Sequence, residues 1–137
     1  MDRHTHASSD NTSLLVKTSF VSITLPNTDP ATAANYGIIF IATRPCFLKA
    51  VSEVHTTAGS STPTLQIERL QGTQAPDAGT VLLATAFNLA ATANTVQRGS
   101  LIPLPTGLKL GDRLCLKDIG TLTAIAGLTI TCEIQFI

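Results

Sequence analysis

Tryptophan is absent from this 137-residue chain, tyrosine and methionine occur once each, and charged residues make up 13% of it, well below the roughly 25% of ordinary soluble domains. Nine basic residues balance nine acidic ones, and net charge is zero. The basic residues run singly from Arg3 to Lys117, which excludes the clustered positive face of a nucleic-acid or anionic-membrane binder. Without tryptophan, and with Tyr36 as the single tyrosine, sugar rings have almost nothing to stack on; a carbohydrate would be held by hydrogen bonds alone.

Cysteine is scarce too. Cys46, Cys115 and Cys132 form no CxxC pair and leave an odd thiol under any pairing, so neither a disulfide framework nor a zinc site is expected, and the three read as small apolar residues kept reduced. No apolar run reaches the ~20 residues that span a bilayer, and the polar start MDRHTHASSDNTS lacks the apolar stretch of a signal peptide. The expectation is synthesis in a cytoplasm.

The residues that do chemistry are equally few: three Glu, six Asp and three His. No nucleophile elbow, phosphate-cradling glycine loop or dinucleotide fingerprint occurs. Asp29, Asp77, Asp112 and Asp118 stand at or near Pro or Gly, where aspartate caps turns through its side chain. His55 on a strand can share a face with Glu53 two residues earlier, but an ordinary surface or interface position is the expectation for it, not catalysis. His4 and His6 would share a face of an extended segment, and three such segments on a symmetry axis could hold a metal ion; two histidines in a polar terminus more often ligate nothing. No catalytic residue, cofactor or metal is therefore assigned.

What the chain does have is β-branched side chains, including 21 threonines, which suit a pleated, half-buried surface. Residues 1–13 are polar and cannot fold alone; they read as a flexible N-terminal arm ahead of one β-sandwich domain at 14–137. Apolar residues alternate with hydroxyls in VSITL at 21–25, and PNTDPATAAN at 26–35 reads as a turn-rich connection. YGIIFIA at 36–42 is apolar on both faces, as in a strand covered on both sides by a second layer or a neighbouring subunit. Further strands are expected at 46–57 and at 64–70, where Leu65 and Ile67 point inward while Gln66, Glu68 and Arg69 mostly face water. Residues 72–80 read as a loop. The Ala-rich stretch 81–97 reads as irregular strand with at most one helical turn, because threonine and asparagine break any helical stripe. After the Gly111-Asp112 turn come a strand to about 117, another after Gly120, a turn at Ala126-Gly127, and the cleanest alternation of all in Leu128, Ile130, Cys132, Ile134 and Phe136. Seven or eight strands with a turn signal every ten or so residues define an all-β antiparallel sandwich or jelly roll.

Several stretches carry a resemblance: VSEVHTTAG at 51–59, the 65–70 strand, GTQAPDAG at 72–79, TAFNL at 85–89, TANTVQ at 92–97, LGDRL at 110–114, and GTLT at 120–123 with the closing strand. Together they look like a family of small virion proteins of tailed phages that includes jelly-roll decoration, or cement, proteins. The likeness covers about residues 36–137. It implies a homotrimer on the outer capsid surface at threefold or quasi-threefold positions, clamping neighbouring major capsid protein subunits, with no nucleic acid or membrane as partner. On that reading the arm residues Asp10, Asn11, Thr12, Ser13 and Leu14 contact the capsid, and Tyr36, Ile39, Ile41 and His55 are candidates for the subunit interface. Tail, baseplate or head-fibre use, or a carbohydrate- or receptor-binding sandwich, are the alternatives.

Overall fold

Alternation in the last strand sets the architecture. Leu128, Ile130, Cys132 and Ile134 of β10 (Leu128–Phe136) are buried, and Glu133 between them is exposed. Such a strand needs an apolar layer over one face and a partner on each flank. The computed structural model describes residues 19–28 (as backbone, apart from Ser22), 37–103, 107–120, 122 and 124–137. It supplies that layer with a second sheet, making an antiparallel sandwich in which every element among the described residues is a strand.

In the first sheet β10 lies between β1 (Ser19–Thr28) and β3 (Cys46–Val54). The far side of β3 pairs with two short pieces, β7 (Gln97–Arg98) at one end and β8 (Gly107–Leu108) at the other. The second sheet repeats the plan. There β9 (Arg113–Ile119) lies between β2 (Ile38–Ile41) and β4 (Thr64–Leu70), and the far side of β4 pairs with β5 (Thr80–Val81) and β6 (Phe87–Asn88). One cluster of buried side chains fills the space between, with Leu48, Val51, Ile130 and Ile134 from one sheet and Leu65, Ile67, Leu114 and Leu116 from the other.

Several expectations need correction. Ten strands replace seven or eight because two edge strands are each split in two. Pro26 and Asn27 belong to β1, not to a connection; the ladder shifts register between Leu25 and Thr28 on an edge strand, the place where proline costs no paired donor. The strand at 38–41 is not covered on both sides by its own chain: among the described residues β2 is the edge of its sheet, and Ile38 and Ile41 are 40% and 59% exposed. Gln66 and Glu68 do not face water but are buried, and Arg69 is half-buried. The reason is that the chain after β4 folds back over them, donating Asp77 N–H to Glu68 Oε1 at 2.7 Å. Past Gly120 the described residues form a turn closed by Ile125 N–H to Leu122 O, with Leu122 and Ile125 buried, where a strand was expected. Asp118 lies within β9, not in a turn. The stretch 81–97 does lack a helix, and its pairing is confined to two-residue pieces and the single bridge of Leu83 to Leu101.

Those pieces are short for a structural reason. Between β5 and β6 the chain leaves β4 and crosses to the other sheet, where Leu83 bridges Leu101, Ala84 N–H donates to Ser100 O at 2.6 Å, and Ile102 N–H donates to Leu82 O at 2.8 Å. The crossing sews one side of the sandwich shut. It also leaves a gap beside β4, which the buried Gln66 amide fills: Nε2 donates to Leu83 O at 2.9 Å, and Oε1 accepts from Leu83 N and Ile67 N, each at 3.2 Å. Replacing this amide with a hydrocarbon orphans three buried backbone groups. Gln66→Leu is therefore expected to lower the unfolding free energy by about 2–4 kcal/mol, read from urea denaturation; a loss under about 0.5 kcal/mol, the level of a neutral surface change, would contradict the bridging role.

Candidate functional site

At the end of β3, Glu53 and His55 point into the sandwich and are 1% and 0% exposed. The alternation of a strand puts residues two apart on one face, which brings His55 Nδ1 to 2.8 and 3.0 Å from Glu53 Oε1 and Oε2. The other ring nitrogen, Nε2, stands 2.7 Å from Ala91 O. Gln97 on β7 donates through Nε2 to Glu53 Oε1 at 3.0 Å and to Asn88 O at 2.8 Å, while Asn94 N–H donates to His55 O at 2.7 Å. The carboxylate and imidazole thus clamp the 88–97 segment to β3. Both ring nitrogens are engaged and sealed from solvent, so the geometry makes a joint and leaves no ring nitrogen open to an outside molecule.

Pairing with Glu53 is as the strand spacing allows, but the surface or interface position expected for His55 is corrected: the ring is enclosed by its own chain. The distant partners of the pair, Ala91 and Asn94 for His55 and Gln97 for Glu53, lie 36 to 44 residues downstream and no local spacing announces them. Desolvation raises the Glu53 carboxyl above its ordinary value of 4.5, with the hydrogen bond and charge of His55 and the hydrogen bond of Gln97 opposing the rise.

The remaining candidates scatter. His4, His6, Asp10, Asn11, Thr12, Ser13, Leu14, Asp29 and Tyr36 lie outside the described residues. Ile39 is half-buried and packs on the core, whereas Ile41 is exposed. Beside Ile41, the turn at 109–112 presents Leu110 at 71% exposure, and it is tied to the end of β2 by Gly111 N–H to Ala42 O and Ala42 N–H to Asp112 O, both 2.8 Å. Asp112 does the turn duty expected of it, its Oδ2 accepting from Lys109 N at 2.9 Å and Gln71 Nε2 at 3.1 Å. The exposed Ile38, Leu110 and Ile119 were not singled out from the sequence, because an apolar residue in a strand reads as core until its partner layer is known.

A separate cleft of about 290 Å³ opens where β3 and β8 begin, lined by Phe47, Arg69, Leu108, Lys109 and Ile137 among others. Arg69 Nη1 there donates to Gly107 O at 2.9 Å. All three cysteines are free and buried; burial pushes the Cys132 thiol up to about 12 and, with Glu68 and Asp77 adding to it, Cys115 to about 11, so both stay protonated and weakly nucleophilic. Among the described residues no group of three His, Cys, Asp or Glu is placed to hold a metal ion, and no helix is long and apolar enough to cross a membrane.

The class these features define is an all-β antiparallel sandwich with, among the described residues, a buried acid–base joint and an apolar edge. The chain matches no family model, no curated protein and no solved structure.

A carboxyl whose folded value lies above its unfolded one holds its proton more tightly in the native state; its contribution to stability is full below about 4.5 and is lost as pH climbs through the folded value. Glu53→Gln keeps an amide donor for Nδ1 and removes the charge, so its unfolding free energy is expected to fall less with rising pH than that of the unaltered protein. Glu53→Ala strands the buried imidazole and costs about 2–4 kcal/mol. Urea unfolding across pH checks both; parallel pH profiles for Glu53→Gln and the parent would contradict the assignment.

Proposed function

We propose that this protein decorates the outside of a tailed-phage head as a homotrimer, cementing neighbouring major capsid subunits. The observation that carries the reading is the edge of β2, which among the described residues pairs on one side only. Ile38 and Ile41 stand exposed there, and the strand has neither a charge nor a proline. Soluble chains protect such edges with lysine, proline or a covering segment; an edge left apolar gains from a second surface, about 1 kcal/mol for each half-exposed isoleucine covered. Leu110 extends the same edge. Summed over three copies, modest contacts of this kind give avidity, because each engaged copy holds the others at high effective concentration.

Two further observations support it. With β5 and β6 counted as one broken strand, and β7 and β8 as another, eight strands remain. Their orders are first-eighth-third-sixth and second-seventh-fourth-fifth, an arrangement that favours the jelly roll within the sandwich class. Moreover, three stretches that carry the phage resemblance, 51–59, 85–89 and 92–97, meet at the Glu53–His55 joint, so the likeness falls on residues that shape the fold.

Purified protein is expected to elute as a trimer by light scattering and to add density to the outer surface of undecorated heads in electron micrographs. The double variant Ile38→Lys/Ile41→Lys, with unchanged circular dichroism, is expected to weaken trimer or head binding at least about tenfold, the effect of roughly 1.4 kcal/mol. A parent protein that stays monomeric and leaves heads bare overturns the proposal, and density on the tail instead would transfer it to a tail, baseplate or fibre role.

A further inference from the structure

The 88–97 segment is held by contacts that need a definite number of protons. Ala91 O can only accept, so His55 Nε2, 2.7 Å away, must carry a hydrogen. Nδ1 faces the Glu53 carboxyl at 2.8 and 3.0 Å, so one more proton must sit between them, on the ring or on the carboxyl. Two protons satisfy both contacts and leave the buried pair neutral overall. With one proton no arrangement works: if it sits between Nδ1 and Glu53, a bare Nε2 meets Ala91 O; if it sits on Nε2, a bare Nδ1 meets a carboxylate. The pair is then also a buried anion, which its dry surroundings penalise.

We propose that Glu53 and His55 form a proton-operated latch on the 88–97 segment, closed while the pair holds two protons and opening at Ala91 when rising pH removes one. The surroundings leave control with the pair. Among the described residues the charge acting on Glu53 is that of His55. From β7 comes the neutral Gln97 amide, while Arg98 next to it is exposed; β10 sets Ile130 opposite Glu53; and β6 and the turn after it contribute the Asn88 and Ala91 carbonyls. The raised carboxyl of Glu53 fits an environment that resists the charged form. What opening would release is the exposed run Thr92, Asn94, Thr95 and Val96, with Asn94 leaving the left-handed conformation, φ 62°, in which its N–H meets His55 O. The latch is independent of the capsid reading.

Amide hydrogen exchange on the full chain from about pH 5 to 8, the span in which imidazoles titrate, tests it, with rates corrected for the intrinsic effect of pH. Protection of Asn94 N–H is expected to fall with pH relative to Leu82 N–H in the seam, by up to about tenfold per pH unit, the slope set by one proton. In Glu53→Gln the amide donates to Nδ1 while Nε2 keeps its hydrogen, so the fall is expected to vanish. Flat Asn94 protection in the parent, or an equal fall in Glu53→Gln, overturns the latch. Should that variant not fold, imidazole nitrogen NMR on the parent decides: Nε2 losing its hydrogen while Asn94 protection holds steady refutes it, and the two changing together supports it.

Discussion

The seam where residues 82–84 leave β4 to meet residues 100–102 is the constraint on which the rest of this molecule depends. Two apolar sheets can slide and twist against each other unless backbone hydrogen bonds join them. Here the joining strand must serve both sheets in turn, so its pairings with β4 are two residues long and its pairing across the seam is a single bridge. Between those pairings β4 keeps one backbone bond to the joining strand, Leu82 N–H to Ile67 O, and the Gln66 amide carries the rest of the contact through Leu83. Room is so tight that a Cβ on Gly99 would come within 2.6 Å of Val51 and 2.8 Å of Leu83; the absence of a side chain there lets the crossing strand pass.

Closing one side leaves the other open, and that asymmetry organises the surface. Polar groups near the seam are spent inside the chain: Gln66 on the backbone, Glu68 on the Asp77 turn, Glu53 and His55 on the segment between β6 and β7. The opposite flank ends in β1 and β2, each paired on one side only among the described residues. Ile38, Ile41 and Leu110 collect there, where contact with another surface removes apolar area from water without breaking any existing pairing. A sandwich built this way is tied by backbone hydrogen bonds where its chain turns back on itself and presents apolar side chains at the end of its second sheet.

The Glu53–His55 joint connects the two themes. Fully buried ionisable groups are expensive unless their charges and hydrogens are matched, and here matching is achieved by a segment 36 to 44 residues away in sequence. The same requirement makes that segment's position depend on proton count, so a feature that stabilises the fold also couples it to pH.

Alternation of side chains was enough to establish the all-β class, the β4 boundaries, the inward rows of β10 and the turn made by Asp112, because a strand's two-residue period is written locally. The Glu53–His55 pair was legible for the same reason, two residues apart on one strand. Its burial was not, nor were the inward turn of Gln66 and Glu68, the exposure of Ile38 and Ile41, or the place of Pro26 within β1. Each of those depends on which strand lies at an edge and which distant segment folds over a face. Local pattern says that two faces differ; only the tertiary pairing, through long-range backbone hydrogen bonds, decides which face is covered and by what.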